Sequence, residues 1–268
     1  MNQPAIADGT LTVAVDQAVA TLTFWHPRKN SLPGTLLSRL ADAFDDLGAR
    51  SDVRVIVLAS AGPGTFCAGA SFDELRAITT EEQGKAFFSG FARVILAMRR
   101  CPKPVIARIH GKAVGGGVGL IAAADYTFAL ASASVRLSEL AVGIGPFVVG
   151  PAIDRKVGRS AFAAMALDAD WRDAAWCERH GLYTRVLDTE AALDSVLPSF
   201  AHKLAGMNPL AVADLKRVLW EGTNHWDTLL FERAEISGRL VLTPKAQQCL
   251  ADLAATVTSG SVPAAKRE

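Results

Sequence analysis

Paired cysteines, charge bias and long apolar runs are what this sequence lacks. Its four cysteines, Cys67, Cys101, Cys177 and Cys249, lie far apart with no C-x-x-C pair, which argues against a zinc site and a disulfide scaffold. They are expected to be reduced and mostly buried, and no metal site is expected. The 28 basic and 27 acidic residues leave a formal net charge of +1 and form no long like-charge block, so neither nucleic acid nor an anionic membrane is an expected partner. No stretch approaches the roughly 20 apolar residues that cross a bilayer, and MNQPAIADGT lacks the basic flank and apolar run of a secretory signal. Internal repeats and low-complexity linkers are also missing. The expectation is therefore a cytoplasmic, globular protein with a small-molecule substrate.

Half of the 268 residues are hydrophobic, enough to bury one large core or a core with a smaller helical appendage. TLTVAVDQAVATLTFW alternates apolar and polar residues around Asp16-Gln17, the pattern of a β-hairpin. Leu36, Leu37, Leu40, Phe44 and Leu47 recur at helical spacing over 35–49, and VRVIVLAS (53–60) is expected as a buried strand. A helix over 80–100, a strand over 104–110, a glycine-led helix from 115 and a strand at YTFAL continue the rhythm. Such alternation implies crossover units around a largely parallel sheet. From about residue 151 the pattern becomes helical, with segments at 151–167, 172–180, 190–206, 209–221 and 225–255 and hardly any strand signal. The last ten residues have the composition of a frayed end.

AVGGGVGLIAAAD (113–125) sets Gly115, Gly116, Gly117 and Gly119 at the mouth of an apolar helix. Each glycine costs a helix roughly 1 kcal/mol against alanine, so four of them ask for a reason. A glycine-lined N-terminus presents unpaired N–H groups and the positive end of the helix dipole to an oxygen without side-chain obstruction. Close packing of helix on sheet is the competing explanation. The spacing fits neither G-x-G-x-x-G, because position 120 is Leu, nor a phosphate loop, because Lys112 precedes the glycines. A second small-residue loop, Ala68-Gly69-Ala70 in GPGTFCAGASFDEL, follows the preceding strand and could supply another N–H to the same oxygen. Glu139 is the only charged side chain between Leu137 and Ile153, so it is either paired at a distance or held in an apolar setting that raises its pKa.

FCAGAS, HGKAVGGGVGL and LSELAVGIGP, in this order and at this separation, resemble the enoyl-CoA hydratase/isomerase (crotonase) family, and HPRKNSL resembles its Pro-x-x-x-Asn-x-Leu turn. The likeness spans residues 10–165. It implies an α/β fold, a crotonase-like spiral of β-β-α turns over residues 1–200 followed by a C-terminal helical trimerisation region over 201–268, assembled as homotrimers or dimers of trimers. It also implies an acyl-CoA thioester substrate and no separate cofactor, coenzyme A being part of the substrate. Carried over by position, Ala70 and Gly116 donate the two backbone N–H groups to the thioester oxygen. Ala68 lies beside the adenine, Ala70, Ser71, Phe72 and Asp73 lie along the pantetheine, and Glu139 is the acid/base. The two-glutamate hydratases of the family carry an acid where this chain has Gly119. Resemblance to the methylglutaconyl-CoA hydratase branch favours hydration of a 2-enoyl-CoA. The single carboxylate leaves open an isomerase moving a double bond from C3 to C2, and a non-catalytic acyl-CoA binder.

Other residues are expected to be structural. His110 is expected as a hydrogen-bonded core histidine, Asp125 as a structural acceptor, and Asp73 and Glu74 as favouring a short helix's N-terminus. Trp171, Trp176, Trp220 and Trp226 are expected as burial between helices or subunits, and Cys67 as no nucleophile. Arg28 and Lys29 either meet CoA phosphates or belong to a solvated loop.

Overall fold

The computed structural model describes residues 8–259. β1 (Thr10–Asp16) and β2 (Val19–Trp25) form the expected antiparallel hairpin, with Asp16 opposite Val19. Its tight turn is Gln17-Ala18, both at positive φ. From there the chain climbs by repeated turns of strand, short strand and helix. α1 (Gly34–Ala49) leads to β3 (Val55–Ser60) and β4 (Thr65–Cys67), then α2 (Phe72–Arg76) and α3 (Glu81–Arg100). β5 (Val105–Ile109), β6 (Lys112–Val114) and α4 (Gly116–Ala123) make the next turn, and β7 (Tyr126–Leu130) and β8 (Ser134–Arg136) begin another.

Long and short strands separate into two sheets. β1, β2, β3, β5 and β7 lie in that order in a six-stranded sheet, parallel from β2 onward. β4, β6 and β8 run parallel in a second, four-stranded sheet. This spiral of β-β-α turns is the fold expected from the resemblance. The three-residue strands of the second sheet are too short to carry a legible alternation, and residue patterning alone did not find them.

β3 (VIVLAS) is buried along its whole length because both faces of the main sheet are covered. Leu36, Leu37, Leu40, Phe44 and Leu47 of α1 face one side, as their spacing predicts. α3 starts at a capping box of Thr80 and Gln83 and stacks on α1.

The chain after residue 150 departs from an all-helical tail. The segment 151–167 is two helices, α5 (Gly150–Val157) and α6 (Arg159–Asp168), broken at Gly158, whose φ of +82° no helix accommodates. β9 (Arg172–Asp173) pairs antiparallel with β8, α7 (Ala174–Arg179) follows, and β10 (Arg185–Leu187) joins the edge of the main sheet parallel to β7. α8 (Glu190–Ala205) then covers the sheet's other face, placing Leu193, Leu197 and Ala201 against Val55, Val57, Ile106 and Phe128. α9 (Pro209–Leu219), α10 (Trp226–Leu240) and α11 (Pro244–Ser259) complete the chain, the last two separated at Val241–Thr243 within the predicted single helix. The expected frayed end lies almost wholly outside the described residues.

Asp125 is the structural acceptor foreseen, and it fastens α9 to the core. Its carboxylate accepts from the Val105 N–H at 2.8 Å and Trp220 Nε1 at 2.9 Å, and pairs with the buried Lys216 ammonium at 2.9 Å. Lys216 also donates to the Lys103 carbonyl at 2.7 Å. α10 packs on α3 so closely that a methyl on Gly84 would stand 2.5 Å from the Gly238 Cα. That contact seats the α3 phenylalanines against the core.

Candidate active site

The two small-residue loops meet. Asn30, in the left-handed region at φ +57°, accepts from the His26 N–H at 2.9 Å and donates to the carbonyls of Ala61 and Thr65 at 2.8 and 2.9 Å. The HPRKNSL turn therefore fixes the entry to the 68–70 loop. Leu32 N–H donates to Gly69 O at 2.8 Å and Ser71 N–H to Leu32 O at 3.2 Å, a parallel bridge that turns the N–H of Ala70 to the opposite side. A methyl on Gly69 would stand 3.0 Å from Val114 O and 3.8 Å from Gly116 N, so the loop lies directly against the mouth of α4. Among the described hydrogen bonds, the N–H groups of Ala70 and Gly116 have no acceptor.

Each glycine of the GGG-x-G run gives room to something different. Gly115, at φ +52°, faces the Glu139 carboxylate, and a methyl there would stand 2.9 Å from Oε1. At Gly116 it would stand 2.8 Å from Cδ1 of the Phe91 ring, and at Gly117 2.7 Å from Cβ of Cys67. At Gly119 it would stand 2.7 Å from Cβ of Val149. Both explanations of the cluster thus hold in part: Gly117 and Gly119 serve packing, while Gly115 and Gly116 open onto a cavity.

That cavity, of about 210 Å³, is bounded by Ala68, Ala70 and Phe72 from one loop, Gly115 and Gly116 from the other, and Glu139. Phe87, Phe88 and Phe91 of α3, Phe147, Val149 and Leu250 of α11 complete its apolar wall. Ser138 and Ser237 are its other polar side chains, and Glu139 is the ionisable group among the described lining. Oε2 of Glu139 is inaccessible and has no hydrogen-bond partner. Burial pushes its carboxyl up to about 7, the main-chain N–H groups of Glu139 and Ser138 only partly offsetting the cost of charge. An exposed surface glutamate is thereby ruled out.

Five of the expected site residues, Ala68, Ala70, Phe72, Gly116 and Glu139, line this one cavity. Ser71 does not; its hydroxyl caps α2, accepting from the Glu74 N–H at 3.3 Å. Asp73 is exposed and pairs with Arg28 at 3.3 Å, an ion pair of little energetic weight. Phe91, Phe147, Val149 and Leu250 were missed. Their approach depends on pairings across the fold, for which local sequence carries no signal.

The expected bystanders behave unevenly. Cys67 is buried, with its thiol pushed up to about 12, and is no nucleophile. His110 is buried, as expected of a core histidine, with the Gly62 main chain as its hydrogen-bonding neighbour. Burial, then the neighbouring Arg108, lowers its pKa. Trp220 and Trp226 are buried edge to face, whereas Trp171 is 43% exposed beneath the Lys112 ammonium. Among the described residues no cluster of His, Cys, Asp and Glu could hold a metal ion, and no helix is long and apolar enough to cross a membrane.

The family model for enoyl-CoA hydratase/isomerase matches residues 14–235. The chain belongs to the enoyl-CoA hydratase/isomerase family. Family members act on acyl-CoA thioesters as hydratases and isomerases. The Arabidopsis thaliana peroxisomal Delta(3,5)-Delta(2,4)-dienoyl-CoA isomerase is 31% identical over 71% of this chain and 72% of its own. The Homo sapiens mitochondrial methylglutaconyl-CoA hydratase is 32% identical over 72% of this chain, which spans 58% of that protein. The crystal structure of an enoyl-CoA hydratase from Mycobacterium avium superposes with a TM-score of 0.81 at 28% identity, covering 92% of this chain and 96% of its own. One from Bacillus halodurans, at 19% identity and a TM-score of 0.84 over 90% of this chain and 99% of its own, shares the fold.

Proposed function

We propose that this member of the family is a 3-enoyl-CoA to 2-enoyl-CoA isomerase in which Glu139 is the single proton carrier. The observation that carries the proposal is Val149, whose side chain fills the space that any residue larger than glycine at position 119 would need. Where a two-glutamate hydratase holds its other acid, this site holds hydrocarbon.

The chemistry follows from the cavity. A 3-enoyl thioester placed with its carbonyl oxygen between the N–H groups of Ala70 and Gly116 loses a C2 proton to the Glu139 carboxylate. The electron pair passes to the thioester oxygen, giving a dienolate that the two amides and the α4 dipole stabilise. Glu139 returns the proton to C4, the double bond settles between C2 and C3, and no water is consumed. A carboxyl near 7 suits a group that must both take and give a proton at neutral pH. Hydration needs a proton delivered to C2 and a water activated for C3, and among the described lining Glu139 is the single ionisable group for both tasks.

The names of relatives such as the human methylglutaconyl-CoA hydratase favour hydration as the second hypothesis. Incubation with 3-hexenoyl-CoA, followed by absorbance of the conjugated thioester, separates them. Isomerisation predicts its rise in the wild type and its loss in Glu139→Gln. Hydration of 2-hexenoyl-CoA at a comparable rate would overturn the proposal, and binding without either reaction would mark a non-catalytic acyl-CoA binder.

The homotrimer or dimer of trimers expected from the family is proposed here for the helical end of the chain. In and beside α9, Leu210, Leu215, Val218 and Leu219 are 75%, 58%, 50% and 53% exposed, more apolar surface than a solvated helix ordinarily shows. Light scattering showing a monomer would refute the assembly.

A further inference from the structure

Resting on the proposal that this cavity receives the acyl part of a CoA thioester, we infer that its substrates carry a compact, uncharged acyl group about the size of one aromatic ring. Acyl groups ending in a carboxylate, and long straight chains, are excluded.

Three observations carry this. First, five phenylalanines, Phe72, Phe87, Phe88, Phe91 and Phe147, surround the space. Phe87 and Phe88 meet edge to face with centroids 5.1 Å apart, a packed wall that offers ring faces and edges to a ring. Second, among the described lining there is no Lys, Arg or His to meet a terminal carboxylate. Such a group would be buried unpaired beside the partly ionised Glu139, and both desolvation and like charge oppose that. Methylglutaconyl-CoA, whose acyl chain ends in a carboxylate, is therefore a poor match.

Third, the space is small and α11 bounds one side of it. Its 210 Å³ compares with the roughly 150 Å³ of an apolar cavity that binds one benzene, leaving room for a ring and the reacting carbons. On that side Leu250 is 2% exposed and packs with Ile78, Ile144 and Val241, while Ala246 lies against Gly143, where a methyl would stand 3.1 Å from its Cα.

Saturated thioesters, which cannot react, test the inference by calorimetry on the full chain. 3-Phenylpropanoyl-CoA is expected to bind at least tenfold more tightly than glutaryl-CoA, decanoyl-CoA or free CoA. Glutaryl-CoA or decanoyl-CoA binding as tightly as the aryl thioester would overturn it. If none of the four binds, the acyl-CoA site itself is refuted, a different result from lost selectivity. Phe87→Lys, checked for native circular dichroism, places a cation in the wall and is expected to raise glutaryl-CoA affinity at least tenfold while weakening the aryl ligand. An unchanged ratio in the folded variant would show that Phe87 does not face the acyl group and would also overturn the inference.

Discussion

Replacing Glu139 by Gln should remove activity and stabilise the protein in alkali. The ordinary glutamate pKa of 4.5 is raised to about 7 by burial, so holding this carboxyl ionised in the folded state costs about 3 kcal/mol. The folded state binds the proton more tightly than the unfolded chain does. The stabilisation is thus full below about pH 4.5 and is lost as pH rises through about 7. Gln mimics the neutral acid at every pH and escapes that loss. Thermal unfolding at pH 5 and pH 8.5 checks this. The two proteins should melt within about 2 °C of each other at pH 5, and Glu139→Gln should melt higher at pH 8.5 by about 6 °C, taking about 2 °C per kcal/mol for a chain of this size. Histidines and other groups titrate equally in both proteins and cancel. The same ionised form is the base, so kcat/KM of the wild type should rise with pH through about 7, and the variant should lose about 10²–10⁴-fold. Equal melting at pH 8.5, or a variant less stable there, would refute the placement of the carboxylate in an apolar setting.

Three further substitutions probe the surroundings. Gly116→Ala drives a methyl into the Phe91 ring and should cost about 1–3 kcal/mol in urea unfolding, with Phe91→Ala in the same chain recovering much of it. Lys216→Met leaves Asp125 buried without its cation and should cost about 3–5 kcal/mol, read from the same unfolding curves. Gly119→Glu alone collides with Val149, and the space for a second carboxylate opens only when the whole Val149 side chain is removed. Because the Val149 Cβ alone would still stand 2.7 Å away, the relieving change is Val149→Gly in place of Val149→Ala, and the Gly119→Glu, Val149→Gly protein should hydrate 2-hexenoyl-CoA at least tenfold faster than the wild type, measured as loss of conjugated-thioester absorbance.

Much of this was legible because periodicity reports burial directly. Leu36, Leu37, Leu40, Phe44 and Leu47 lie on one face of α1 and are all buried, and the unbroken apolar run at β3 is a strand covered on both sides. The two small-residue loops and Glu139 stood out by residue type, as a glycine cluster and a lone acid in an apolar stretch, while Ala70 and Gly116 within those loops were singled out by the family resemblance. β4, β6 and β8 could not be found by patterning, since three residues hold no period. Nor could the occupant of each glycine's space. Val149 is an ordinary valine until the fold sets it over Gly119, and Phe91 is a helix-face residue until Gly116 admits its ring.

Product analysis in isotopic water tests the central claim most directly. With 3-hexenoyl-CoA in H₂¹⁸O, mass spectrometry should show 2-hexenoyl-CoA as the initial product with no ¹⁸O, because one carboxylate moves one proton and nothing is added. A 3-hydroxyacyl-CoA carrying ¹⁸O, formed as fast as the double bond shifts, would contradict it.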